Sequence, residues 1–146
     1  MKKLFAVGCS AFVLATGAAF AADFGTAAEA KAMLEKAVAA VKADKAGALA
    51  QFAKGEGGVK DRDLYPFCGG PDGNFTAHPS LTGKSLKDLK DKAGKALGEE
   101  MYKAAAEGKI AEVAYMWPRP GSTEPVSKVS YVTKIGDQVC AVGYYK

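Results

Sequence analysis

The first long hydrophobic pattern of the chain, in residues 26–54, repeats at the spacing of an α-helix. The segment is rich in Ala, Leu, Glu and Lys, which favour helices. Thr26 followed by Glu29 is a capping-box sequence that predicts the helix start, and the glycine-rich stretch 55–58 predicts its end. Gly47 weakens the middle, so a break or kink there is the alternative to one continuous helix. The apolar positions of the stripe are Met33, Leu34, Ala37, Val38, Val41, Ala48, Leu49 and Phe52.

Later segments alternate apolar and polar residues with the period of β-strands. Residues 64–68 and 75–77 flank the turn sequence GGPDGN, a pattern that predicts a hairpin. Residues 110–117 and 126–135 show this alternation, and residues 138–145 follow as a last strand after the tight turn Gly136-Asp137. These three segments predict an antiparallel meander at the end of the chain.

A second, shorter helix is predicted between the hairpin and the meander, at residues 95–107, with Gly108 as its stop. The order of elements is therefore helix, hairpin, helix and meander. This order predicts an α+β fold in which helices pack against an antiparallel sheet of about five strands.

Residues 1–21 have the pattern of a secretory signal peptide. Two lysines precede an uncharged apolar run from Leu4 to Phe20, and Ala19-Phe20-Ala21 provides the small residues of a cleavage site. The alternative, a retained membrane helix, needs about 20 strongly apolar residues. We therefore expect cleavage after Ala21, a periplasmic or secreted location, and one domain over residues 22–146 without a further membrane span.

Composition and motifs argue against several classes of function. The formal net charge of +4 falls to +2 without the two N-terminal lysines, which gives no electrostatic reason to expect nucleic acid. The chain contains no CxxC, CxxCH, GxSxG or HExxH motif, so an enzyme or a covalently bound haem is not expected. Carboxylates at Asp61, Asp63, Glu99 and Glu100 have no spacing that selects a catalytic pair.

Two cysteines remain after the signal peptide, which contains Cys9. Cys68 and Cys140 form an even pair in a compartment that favours disulfides. A metal site is the alternative, but the chain has only one histidine, His78. We predict a structural disulfide, which would pin the sheet if the first and last strands are neighbours, and no metal or cofactor.

Several short motifs, in the right order, resemble single Cache domains, the PAS-like extracytoplasmic sensor modules of bacteria. The segment DLYPFCGGPDGNFTAHPSLTGKSL at 63–86 is similar to the strand-turn-strand of that family. Later pieces that match are Tyr115-x-Trp117, Lys128-x-x-Tyr131-Val132 and Gly143-x-Tyr145. With the long N-terminal helix, the resemblance covers residues 25–146.

The resemblance implies a PAS-like sheet with the long helix packed against it and a ligand pocket on one face. Family members are mostly parts of chemoreceptors and sensor kinases that bind short carboxylates or amino acids. No signalling domain is recognised here, so the chain resembles a freestanding secreted form. The resemblance therefore predicts a periplasmic or secreted protein that binds a small carboxylate or similar metabolite, with a membrane-bound receptor or kinase as its partner.

Three aromatic residues, Tyr65, Tyr115 and Trp117, are candidates for the ligand pocket through this resemblance. Taken alone, two aromatic residues on one strand face are typical of a core. Pro118 and Pro120 end the strand at Trp117, and pockets favour such strand ends with aromatic walls. Core packing and a place in the pocket both remain open for these rings.

Four polar candidates complete the predicted site. Lys128 would supply a cation for a carboxylate, or would be a solvated edge-strand lysine. Tyr131 points to the opposite face from Lys128 in a regular strand, so both line one pocket only across a bulge or around a strand. His78 would make binding pH-sensitive, and Arg119 would contact a carboxylate at the rim; the alternative for both is an ordinary loop residue.

A different class of function is also open. The Ala-rich N-terminal helix, with its thin apolar stripe, would suit a structural or interaction protein that forms a homodimer or docks onto a membrane receptor. The same stripe is equally suited to covering the protein's own sheet.

Overall fold

The computed structural model describes residues 23–146, so the predicted signal peptide lies outside the described residues. Its three helices are α1 (Ala27–Ala43), α2 (Lys45–Lys54) and α3 (Leu97–Ala104). Within the described residues, none of these helices has the length and apolar character needed to cross a membrane.

The long N-terminal helix predicted for residues 26–54 is broken into α1 and α2. The break lies at Asp44, whose extended backbone ends α1 and whose side chain accepts a hydrogen bond from Gly47 N–H at 3.0 Å. Gly47 has a role in the break, because a Cβ there would collide with the Asp44 carboxylate. The predicted capping box is present at the start of α1, where Glu29 N–H donates to Thr26 Oγ1 and the Glu29 carboxylate accepts from Thr26 N–H.

The strands form one antiparallel sheet with the order β2-β1-β5-β4-β3. They are β1 (Pro66–Gly69), β2 (Phe75–Ala77), β3 (Ala111–Pro118), β4 (Pro125–Ile135) and β5 (Gln138–Tyr145). The predicted hairpin is β1 and β2, and the predicted meander is β3, β4 and β5. The α+β fold with a five-stranded antiparallel sheet is therefore confirmed, although β1 begins two residues later than predicted and α3 is shorter at both ends.

The central strand, β5, is joined to its neighbour β1 by the Cys68–Cys140 disulfide. The two cysteines are direct partners in the register of the strands, with their Cα atoms 4.1 Å apart. Both are fully buried. The predicted disulfide is thus present, and it links segments that are 72 residues apart in the chain.

The sheet has two different faces. The face that carries the disulfide is covered by α1 and α2, whose buried residues include Leu34 and Phe52. The opposite face is covered by α3 and by the loop that precedes it. That loop contributes Leu86, and α3 contributes Leu97 and Met101, to a second buried cluster. We call the two faces the helix face and the pocket face.

Candidate functional site

A small cavity lies on the pocket face, between the sheet and the cover formed by α3 and its preceding loop. Its volume is about 20 Å³, enough for one water molecule. Most of the wall is apolar or aromatic, and Lys128 and His78 supply the charged or titratable nitrogen atoms. The lining residues are Tyr65, Phe67, Phe75, His78, Leu81, Leu86, Leu89, Leu97, Met101, Tyr115, Trp117 and Lys128.

The strand register brings Lys128 to the centre of the pocket face. Lys128 in β4 is paired with Tyr115 in β3 and with Tyr145 in β5, so these three side chains project from one row of the sheet. One row further along β5 lies Gly143, where a Cβ would collide with Lys128 Cε. The absence of a side chain at Gly143 therefore makes the space through which the lysine side chain passes.

Lys128 is buried to 1% exposure, yet its partners are not carboxylates. Its Nζ donates to Tyr65 Oη and Tyr145 Oη, each at 3.3 Å, and it lies 4.8 Å and 4.6 Å from the centroids of these two rings. Among residues 23–146, no carboxylate oxygen lies within 4.0 Å of Lys128 Nζ. Burial lowers the pKa of Lys128 to about 7, against the opposing attraction of Asp63.

The two tyrosine hydroxyl groups that contact this nitrogen belong to a wider set on the pocket face, which includes that of Tyr115. Tyr145 Oη donates to the carbonyl of Pro118 at 2.8 Å, and Tyr115 Oη shares a 2.8 Å hydrogen bond with Ser130 Oγ. Burial raises the pKa of Tyr65 to about 12 and also raises that of Tyr115. These phenols therefore stay protonated at neutral pH and provide neutral hydroxyl groups around one cation.

His78 is held as a neutral ring at the edge of the cavity. Its Nδ1 accepts hydrogen bonds from Ser80 N–H at 3.0 Å and Leu81 N–H at 3.1 Å, so in the neutral ring the proton is on Nε2. Burial, reinforced by the charge of Lys128, lowers the pKa of His78 to about 4. Its ring also contacts those of Tyr65 and Phe75, with centroids 5.5 Å and 5.0 Å away.

Trp117 closes one side of the cavity at the end of β3. Its ring meets that of Tyr115 edge to face, with centroids 6.3 Å apart. On its outer side lies a groove of about 310 Å³, which shares Tyr65, His78 and Trp117 with the cavity wall. Trp117 is therefore both packed and in contact with the cavity.

Arg119 lies in this outer groove and does not line the cavity. It donates to the buried carboxylate of Asp63 at 3.2 Å, and Asp63 also accepts from Gly25 N–H at 2.7 Å. The guanidinium Cζ lies 4.0 Å from the ring centroid of Phe24 and 4.8 Å from that of Tyr145. Arg119 thus ties the segment before α1 to the back of the Lys128 site.

The structure brings five of the seven predicted ligand residues together around the cavity: Tyr65, His78, Tyr115, Trp117 and Lys128. Tyr131 is on the helix face, where its ring stacks on Tyr144 with centroids 5.8 Å apart, because the strand has no bulge between positions 128 and 131.

The apolar half of the cavity was missed by sequence reasoning. Leu97 and Met101 are four residues apart and lie on one side of α3, a spacing that the sequence does show. Nothing in the sequence indicated that this side, with Leu86 of the preceding loop, would complete the cavity wall.

Comparison with known sequences identifies a protein family and one related chemotaxis protein. The family model of the Cache domain matches residues 28–145 of the chain. The methyl-accepting chemotaxis protein McpP of Pseudomonas putida is 39% identical over 56 residues, which are 38% of this chain and only 10% of that protein.

Solved structures share the fold. A methyl-accepting chemotaxis protein from Vibrio parahaemolyticus has a TM-score of 0.66 and 27% identity, over 81% of this chain and 86% of that one. A periplasmic sensor domain of a chemotaxis protein has a TM-score of 0.61 and 26% identity, over 79% and 86% of the two chains. A Cache chemosensory domain studied for carboxylic acid recognition has a TM-score of 0.57 and 24% identity, over 79% and 84%. At 24% identity, this last similarity shows a shared fold and nothing further.

Proposed function

The chain belongs to the Cache domain family, and from that premise we propose that it binds a short-chain monocarboxylate in the cavity beside Lys128. One observation carries this proposal. Lys128 is buried and has hydroxyl partners but no carboxylate partner within the described residues. A buried cation without a counter-ion is costly, and an anion that enters the cavity would relieve that cost.

The other groups of the cavity suit a carboxylate head. An ammonium group and neutral N–H or O–H donors form strong, charge-assisted hydrogen bonds to carboxylate oxygens. Lys128, the Nε2–H of His78 and the hydroxyl of Tyr65 are such donors in the wall. The same wall lacks a second cation, so a dicarboxylate would leave one charge among apolar side chains.

The apolar half of the cavity limits the tail of the ligand. Leu86, Leu97 and Met101 face the polar half, so the carbon chain of the acid would lie against them. Because a volume of about 20 Å³ holds only one water molecule, binding of an acid with a few carbon atoms requires these side chains to move. Methionine changes rotamer easily, so Met101 is the residue that we expect to move most.

The proposed setting is the periplasm or the secreted fraction, because residues 1–21 have a signal-peptide pattern. In this setting the role is one of binding, with transfer of the signal to a membrane-bound receptor or kinase. A catalytic role has no support from the cavity, because the hydroxyl groups in its wall belong to Tyr65 and Tyr115, which burial keeps as neutral phenols.

The alternative is a structural protein that dimerises or docks through its N-terminal helix. The buried residues of α1 are Ala30, Met33, Leu34, Ala37 and Val41, and they pack against the protein's own sheet. Its apolar stripe is therefore already in use, and no observation favours docking through it.

Thermal-shift and calorimetric titrations with propionate test the proposal. Propionate should raise the melting temperature, because it binds the folded state, whereas its uncharged analogue propionamide should not. Lys128→Met should abolish the shift. Lys134→Met is the matched control, since Lys134 is an exposed lysine on the same strand. Equal shifts for propionate and propionamide, or a full shift in Lys128→Met, would contradict the proposal.

A further inference from the structure

We propose that the cavity binds a proton together with the carboxylate: Lys128 is an uncharged amine in the ligand-free protein above neutral pH, and it becomes an ammonium ion when the anion enters. This inference rests on the proposed function, because it describes how the same site is regulated. In the binding step, the amine nitrogen of Lys128 takes one proton from solvent, the carboxylate keeps its negative charge, and no other bond changes.

The geometry satisfies the neutral form of Lys128 as well as the charged one. Tyr145 Oη donates its hydrogen to Pro118 O, so its oxygen accepts from Lys128 in either form. The hydroxyl of Tyr65 has no other hydrogen-bond partner among the described residues, so it is able to rotate and donate to the lone pair of a neutral amine. The ammonium form donates to both oxygens instead. Loss of the proton therefore leaves no buried polar atom without a partner.

The acid that most affects Lys128 is held away from it. Asp63 is the carboxylate that favours the charged amine, but its two oxygens accept from Gly25 N–H at 2.7 Å and from Arg119 at 3.2 Å. Asp63 is therefore ion-paired with Arg119, whose positive charge offsets the negative charge of the carboxylate. Of the two effects on Lys128, burial is the larger, and it lowers the pKa to about 7 although the charge of Asp63 acts to raise it.

Among the described residues, no other group near Lys128 supplies a negative charge. Tyr115 and Tyr145 of the strands, Tyr65 just before β1 and His78 just after β2 are all neutral around pH 8, because burial raises the pKa of each tyrosine and lowers that of the histidine. From α3 and its preceding loop, the described lining is Leu81, Leu86, Leu89, Leu97 and Met101. An entering carboxylate would therefore be the first anion in contact with Lys128.

Proton uptake has a measurable consequence. Where Lys128 is neutral in the free protein and charged in the complex, the apparent affinity falls about tenfold for each unit rise in pH. Where it is charged in both, the affinity does not depend on pH. We therefore expect pH-independent binding of propionate below neutral pH and a progressive tenfold loss per unit above it.

Calorimetry with propionate in two buffers of different ionisation enthalpy, such as Tris and EPPS, counts the protons. At about pH 8.5 we expect uptake of nearly one proton per propionate bound. At about pH 6, in a pair that buffers there such as MES and Bis-Tris, we expect nearly none. Lys134→Met, at an exposed lysine of the same strand that does not line the cavity, should leave the proton count unchanged. A count near zero at the higher pH, or a count that disappears in Lys134→Met, would overturn the inference.

A second measurement separates this inference from the proposed function. If no carboxylate gives heat in any buffer, the proposed function fails, and the titration of ligand-free protein still decides the state of Lys128. With ¹³C-labelled lysine, and Lys128→Met to assign the resonance, we expect one lysine to titrate near neutral pH, well apart from the exposed lysines. If Lys128 titrates with the exposed lysines, the inference is wrong even where propionate binds.

Discussion

The same strands serve the two faces of the sheet in different ways. On the helix face, Cys68, Cys140 and Val142 are fully buried and pack with α1 and α2 into an apolar cluster that has no charged member. On the pocket face, the alternate positions carry Lys128, Ser130 and Tyr115, with a cavity in front of them. One face stabilises the fold, while the other holds a buried lysine that has no carboxylate partner among the described residues. Substitutions on the two faces should therefore separate stability from binding.

The largest expected effect is loss of the disulfide on the helix face. Replacing Cys68 and Cys140 together by alanine should reduce the free energy of unfolding by about 4 kcal/mol, because the bridge closes a long loop in the unfolded chain. Urea unfolding under oxidising conditions measures this. Affinity for propionate should be retained at temperatures where the variant is folded. A reduction in the free energy of unfolding below about 1 kcal/mol would show that the disulfide is not a main source of stability on the helix face.

Truncation of the helix face comes next in size. Leu34 is fully buried in α1, and Leu34→Ala should cost about 3 kcal/mol through lost burial and the cavity left behind. The matched substitution on the pocket face is Leu86→Ala, which would enlarge the cavity that we propose as the ligand site. Leu34→Ala should lower the free energy of unfolding without changing ligand selectivity. Leu86→Ala should shift the binding preference toward longer acids. The reverse pattern would contradict the assignment of the two faces.

Replacing Lys128 should stabilise the protein, whereas the two substitutions on the helix face destabilise it. Lys128→Met replaces a buried cation by an apolar side chain of similar length, so we expect the ligand-free protein to gain about 2 kcal/mol at pH 6. The folded-state pKa of Lys128, about 7, lies below the usual 10.5, so the unfolded state binds more protons between these values and the stability of the natural protein rises with pH there. The gain from Lys128→Met should therefore shrink as the pH rises toward 10. Denaturant unfolding at several pH values measures it, and a gain that grows with pH would contradict this account.

The smallest effect concerns His78. Its folded-state pKa of about 4 lies below the usual 6.5, so the unfolded state binds more protons between these values. The contribution of His78 to stability is present above about pH 6.5 and is lost as the pH falls toward 4. In His78→Asn, whose side-chain oxygen is able to accept the same backbone N–H bonds, stability should fall less steeply over this window. Equal pH profiles for the two proteins would show that His78 titrates normally.

Much of the fold was predictable because it is encoded in local patterns. Period-2 alternation placed β3 and β4, and turn sequences placed the other strands, to within two residues. The Thr26–Glu29 capping box gave the start of α1. The break at Asp44 was harder to predict, because the apolar stripe and the helix-forming composition continue through it. The local sequence does contain an N-cap pattern, since Asp44 precedes Gly47 by three positions and its side chain caps α2.

The site was predictable only where it lies on strands. Alternation within the strand places Tyr131 on the opposite side of the sheet from Lys128, although the motif that resembles the family contains both of these residues. That Tyr115 and Lys128 share a side depends on the register of β3 and β4. The partners of Lys128 come from segments distant in the sequence, such as Tyr65 and Tyr145. Only the paired strands bring them together, so neither the low exposure of Lys128 nor its lack of a carboxylate partner was visible in the sequence.

A crystal structure of the protein grown with propionate would test binding at Lys128 most directly. We expect a carboxylate within hydrogen-bond distance, about 3 Å, of Lys128 Nζ, its carbon chain against Leu86 and Leu97, and a changed rotamer of Met101. Propionate bound only in the outer groove near Arg119, with the Lys128 cavity unchanged, would contradict it.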